Sequence, residues 1–153
     1  IEWHLHGLLG KVLPRPPAHA VADRGLELFQ AWAERVHFSP LAVECVVVNS
    51  ECGYAGRADW VAWVNNKLTL GDIKTSKKVY PEMFLQNWAY REAWNDSILR
   101  LDGLFVDRVR AGLIVRVPLS LTEDAVEEVE VPNDSGLFDV FMAAKQIYDF
   151  EHS

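Results

Sequence analysis

Apolar positions along the chain recur with two periods, and the switch between them divides it into elements. From His19 to Val36 the residues Ala22, Leu26, Phe29 and Ala33 repeat at helical spacing. Pro14, Pro16 and Pro17 precede this run and Ser39-Pro40 follows it, which predicts one bounded amphipathic helix. An earlier helix is expected around Trp3 to Leu9, cut off from the next by the prolines.

The period then shortens to two. Leu41 to Asn49, Ala55 to Val64 and Leu68 to Thr75 read as three strands, separated by breaks at Cys52-Gly53 and Asn65-Asn66, and together predict an antiparallel meander. Pro81 opens a helix of about four turns, with Leu85, Trp88, Ala89 and Ala93 on its buried face. Two further strands are expected over Ala111 to Val117 and Ala125 to Val131, then a helix from Ser135 to about Phe150 with Leu137, Phe138, Phe141 and Ile147 turned inward. This order predicts an α/β (α+β) fold with a mixed central sheet of about five strands flanked by helices.

Composition adds bounds. With 153 residues, 50% of them hydrophobic, the chain suits one domain with a sizeable core. It has no apolar run of about eighteen residues and no secretory leader pattern, so a cytoplasmic protein is expected. Ile1 stands where a Met would begin a chain and the first element reads as the middle of a helix, which suggests further residues upstream. Cys45 and Cys52 suit a reducing compartment as packed thiols, and two thiols cannot supply an iron–sulfur cluster's usual four. The formal net charge of -7 argues against general adhesion to nucleic acid, so any such binding must be local.

The third strand candidate ends in Gly71-Asp72-Ile73-Lys74-Thr75, and its period places Asp72 and Lys74 on one face with Ile73 on the other. The Val64 to Leu68 hairpin would bring Asp59 beside Asp72. Opposed carboxylates on a sheet repel unless a cation lies between them, and an oxygen-only donor set suits Mg²⁺ or Mn²⁺, to which the Ile73 carbonyl could add a ligand. Gln86 and Tyr90, one turn apart on the next helix, share a face distinct from its apolar one. Glu44 is either a further carboxylate near this group or an ordinary solvated or paired one.

Taken together, Gly53 to Asp59, Asp72-Ile73-Lys74-Thr75 and Gln86-x-x-x-Tyr90 resemble the PD-(D/E)xK nucleases, in particular the RecB-type exonuclease branch with its phage and CRISPR-associated members. The resemblance covers residues 41 to 95. It implies a restriction-endonuclease-like core forming a single nuclease domain over residues 1–153. Asp59, Asp72 and Ile73 would bind one or two divalent ions, Lys74 would orient water or offset phosphate charge, and Gln86 and Tyr90 would complete the catalytic set. The family also uses a metal-binding His on its N-terminal helix; His4, with His6 as competitor, or a residue before Ile1 would fill that place. Lys77, Lys78 and Arg91 would form a small basic rim for DNA phosphates, and the four-cysteine iron–sulfur cluster of some relatives is not expected.

The activity so implied is Mg²⁺- or Mn²⁺-dependent exonuclease hydrolysis of DNA, single- or double-stranded, in phage or bacterial recombination or repair. The alternatives are an endonuclease of restriction or junction-resolving type and a non-catalytic DNA-binding or assembly module of the same fold. No membrane partner is expected. An acidic protein that must stay on DNA suggests a homo-oligomer or a recombination partner protein. Trp60, Trp63, Trp88 and Trp94 offer stacking surfaces for bases, with core packing the simpler use for most of them.

Overall fold

Five strands make one sheet in chain order, and the chain's alternation of helices and strands explains what covers each face. In the computed structural model residues 1–98 and 108–153 are described. The elements are α1 (Glu2–Leu8), α2 (Ala20–Arg35), β1 (Ser39–Asn49), β2 (Tyr54–Val64), β3 (Lys67–Lys74), α3 (Pro81–Ile98), β4 (Ala111–Arg116), β5 (Glu127–Glu130) and α4 (Gly136–Glu151). β1, β2 and β3 form the predicted meander, β4 joins β3 in parallel, and β5 pairs antiparallel with β4. The protein is therefore α+β, with a mixed, open five-stranded sheet and four helices among the described residues.

The β2–β3 turn follows from its residues: Asn65 and Asn66 both have positive φ, 47° and 64°, the two-residue hairpin geometry that Asn tolerates and that matches strand twist. α3 begins at Pro81, which lacks only an amide that the first turn would leave unpaired. β5 is shorter than the predicted Ala125 to Val131. Its pattern is mostly exposed, with Val129 as its partly buried residue, and Pro132 follows without an N–H for the ladder.

Two apolar layers sandwich the sheet. On one side Leu5 of α1 and Phe29 and Trp32 of α2 pack on Trp60, Val43 and Val115, with Trp32 and Trp60 rings 6.1 Å apart. On the other side Ala93 meets Val47, Val61 and Leu70, and Trp88 meets Ile114 and Val131. α4 departs from expectation. Ile147 is 61% exposed rather than inward: the apolar contacts of α4 are made by its first turns, where Leu137, Phe138 and Phe141 reach the Trp88 cluster and Tyr54. No helix among the described residues is long and apolar enough to cross a membrane.

Candidate functional site

The site begins where regular pairing stops. The β2–β3 ladder runs from Val64↔Lys67 to Trp60↔Gly71, and Asp59 is the next residue. Its carboxylate, rather than its backbone, meets β3: Ile73 N–H donates to Asp59 Oδ2 at 2.7 Å. Residues two apart on a strand should share a face, yet Ala58 packs in the α3-side cluster and Trp60 in the α1/α2-side cluster. β1 changes face at the matching place, since Val43 belongs to one cluster and Cys45 and Val47 to the other. Between them Glu44 holds φ at 47°, a left-handed conformation that costs a non-glycine residue on the order of 1–3 kcal/mol. These paired switches turn both Glu44 and Asp59 toward the α1/α2 side. There Asp59 lines a cavity with Glu2, Ile73 and Thr75, and Glu44 reaches His6 of α1.

Asp72 and Lys74 share the opposite, α3-facing side, as the strand period requires. Asp72 is 2% exposed and accepts a hydrogen bond from Asn87 Nδ2 at 2.9 Å. Burial above all, with the Asp59 charge adding to it, pushes the Asp72 carboxyl up to about 6, against the opposing pull of Asn87 and Lys74. Lys74 Nζ donates to Gln86 Oε1 at 2.8 Å, and Gln86 Nε2 to the Tyr90 hydroxyl at 3.2 Å. The sequence's Gln86–Tyr90 pair is thus wired to its Asp72–Lys74 pair. Tyr90 can lie this close to β2 because residue 56 is glycine: a Cβ there would stand 2.3 Å from Tyr90 Cε1. Burial, followed by the charges of Asp72 and Asp59, raises the Tyr90 phenol above its ordinary value.

The α1/α2-facing side gathers carboxylates instead. His6 Nε2 and Glu44 Oε2 are 2.6 Å apart, and Arg57 Nη2 lies 3.7 Å from Glu44 Oε1. The hydrogen bond with His6 outweighs burial and, with the smaller help of the Arg57 charge, holds the Glu44 carboxyl below its ordinary value. Glu2, one turn before His6, is pushed up by burial and next by the charges of Glu44 and Asp59. Asp59 is raised as well, by burial first, with the Ile73 amide, Lys74 and Arg57 opposing. Of the two histidines, His6 stands with the carboxylates, whereas His4 turns toward α2, its Nδ1 3.4 Å from Gln30 Nε2.

Among the described residues no three His, Cys, Asp or Glu side chains are grouped so as to hold a metal ion. The donors nevertheless fit a hard divalent cation in kind. Asp59 and Asp72 are desolvated carboxylates with raised proton affinity on either side of one strand end, and a cation would relieve the repulsion that both feel. Ile73 reaches Asp59 through its amide.

The remaining candidates are dispersed. Lys77 and Lys78 are exposed beyond β3, with Lys78 Nζ 5.3 Å from the Tyr80 ring. Arg91 does not join them: it is buried over Trp88 and bonded to Asn133. Trp60 and Trp88 are core residues, Trp63 is at the surface at 36% exposure, and Cys45 and Cys52 are free thiols. His19, His37 and His152 are exposed.

Sequence reasoning passed over Glu2, Arg57 and Asn87. Glu2 stands four positions before His6, a spacing that signals a shared helix face. Asn87 was visible as a polar residue inside the apolar stripe of α3, where it bonds both Leu70 O and Asp72. Arg57 gave no signal beyond its place two residues before Asp59. No protein-family model matches the chain, and no curated protein matches it.

Proposed function

We propose that the protein is a metal-dependent nuclease of the PD-(D/E)xK type, with a restriction-endonuclease-like core and closest in motif to the RecB-type exonucleases, acting on DNA. The observation that supports this best is the hydrogen-bonded run from Lys74 through Gln86 to Tyr90 beside the buried Asp72. It joins the Asp-x-Lys strand end to the Gln-x-x-x-Tyr helix, two motifs that carry the family resemblance.

In this reading Asp59 and Asp72 hold Mg²⁺ or Mn²⁺, with the Ile73 carbonyl, a carboxylate from Glu44 and a histidine as further donors. When bound, such an ion polarises the scissile phosphate and lowers the pKa of an attacking water. The chain's own groups do the rest. Gln86 fixes the direction of the Lys74 ammonium, which leaves donors free to orient water and offset charge developing on the phosphate oxygens. Tyr90 fixes Gln86 in turn, and Asn87 keeps Asp72 in one rotamer while occupying a single lone pair. Lys77 and Lys78, exposed just beyond the strand end, would meet the substrate's backbone.

Purified protein incubated with Mg²⁺ or Mn²⁺ should degrade linear DNA, and EDTA should stop it; inertness toward single- and double-stranded DNA with both ions would sink the proposal. Covalently closed circular DNA separates exonuclease from endonuclease action, because only the latter can cut a strand without ends.

A further inference from the structure

Arg91 lies one helical turn beyond Asn87 on α3 and takes no part in the chain of bonds described above. It is 8% exposed, its guanidinium stacked 4.2 Å over the Trp88 ring, with Nη2 donating to Asn133 Oδ1 at 3.1 Å. Trp88 is itself tied down through Nε1 to Pro132 O at 3.0 Å, so the guanidinium plane is held rigidly. Nε and Nη1 are buried with no hydrogen-bond partner among the described residues. A guanidinium cannot shed its proton to escape burial, and buried charged donors are found paired.

Arg91 also lines a cleft of about 480 Å³, together with Arg108, Arg110, Asn133 and Glu92. Arg108 and Arg110 precede β4 with exposed side chains, so among the described residues that line the cleft three arginines meet one carboxylate. Burial above all makes Arg91 less willing to hold its proton, with Glu92 opposing it and the Arg108 charge adding a smaller push in the same direction as burial. The nearby α4 N-terminus is already engaged, since Gly136 N–H donates to Asp134 Oδ1 at 2.9 Å; an anion entering the cleft would meet the arginines rather than the helix end.

We propose that this cleft is an oxyanion site for a phosphate group, with Arg91 as the rigid buried donor and Arg108 and Arg110 as outer cations. A planar, always-charged fork held by stacking is suited to phosphate oxygens. The phosphate belongs either to a nucleic-acid strand or to a free anion, and the site stands whether or not the protein cleaves DNA.

The full chain in EDTA, titrated with inorganic phosphate against chloride at matched ionic strength, should show saturable calorimetric binding and a raised Tm. The surface double variant Arg108→Gln/Arg110→Gln should bind at least roughly tenfold more weakly, and Arg91→Lys should also lose affinity while keeping its circular dichroism. Absence of saturable binding in the unmodified chain, or a folded double variant that binds as tightly, overturns the site. If Arg91→Lys does not fold, the surface pair decides. Displacement of bound phosphate by a 5′-phosphorylated oligonucleotide assigns the site to a strand; phosphate binding that the oligonucleotide does not disturb assigns it to a free anion.

Discussion

The two sides of the sheet around Asp59 and Asp72 solve the problem of buried charge in opposite ways. On the α3 side the polar side chains are linked in complementary pairs: Asp72 with Asn87, Lys74 with Gln86, Gln86 with Tyr90. On the α1/α2 side like charges accumulate, and Glu2, Glu44 and Asp59 share His6, Arg57 and one backbone amide among them. The first arrangement fixes geometry. The second goes with raised proton affinity at Glu2 and Asp59, where burial is the larger cause and neighbouring carboxylates add to it. Positioning contacts thus concentrate on the α3 face and like charges on the α1/α2 face, and the two faces, each with a carboxylate of raised proton affinity, meet at one strand end, where Asp59 bonds to Ile73.

The comparison is broken most severely by removing the α3-side charges. Asp72→Ala and Lys74→Ala should each reduce DNA cleavage by about a hundredfold or more, with circular dichroism unchanged; a variant that still cleaves at the original rate moves the chemistry elsewhere. Next in size is the packing that lets the two faces meet. A Cβ on Gly71 would stand 1.9 Å from the Trp60 ring, so Gly71→Ala must displace a fully buried indole and should cost about 1–3 kcal/mol, as overpacking does. Urea denaturation measures it, and an unaltered midpoint would mean that Trp60 has room to move.

Asp72→Asn sharpens the comparison through pH. The folded carboxyl at about 6 lies above its ordinary 3.8, so between these values the native state binds more protons than the unfolded one, and stability falls as pH rises through that window. The cost persists above it. An amide keeps the Asn87 contact without the charge, so in EDTA at pH 7.5 (about that of the cytoplasm) the variant should be more stable by on the order of 1–3 kcal/mol. The gain should vanish near pH 4 (about the carboxylate's ordinary range). Equal stability of the two proteins at both pH values would show that Asp72 is not desolvated.

On the other side, His6→Ala should weaken Mn²⁺ binding by calorimetry more than His4→Ala, because His6 adjoins Glu44 and His4 faces Gln30. The reverse order would relocate the histidine contribution. The smallest effect is expected from Tyr90→Phe, which removes only the hydroxyl that orients Gln86: cleavage should drop by up to about tenfold, the worth of one neutral hydrogen bond, with little change in Tm.

Sequence period alone determined much of this protein. Two-residue alternation defined β1 to β3 and placed Asp72 and Lys74 on one face, helical spacing placed Gln86 beside Tyr90, and the Asn65-Asn66 break fixed the hairpin that carries Asp59 to the level of Asp72. These are local properties, set by backbone geometry and turn chemistry that a short stretch of residues contains in full. The limits of the same logic appear at Ile147, which has the spacing of an inward residue and yet is exposed, because among the described residues α4 is not packed deeply enough to bury any of its side chains.

Only the tertiary structure decided which face Asp59 and Glu44 take, which histidine joins them, and that Arg91 is buried away from the exposed lysines. An ideal strand has one parity, whereas β1 and β2 both change face at this point, held there by Trp60 and Val43 packing against α1 and α2. That packing joins residues far apart in the chain, and no window of sequence contains both partners.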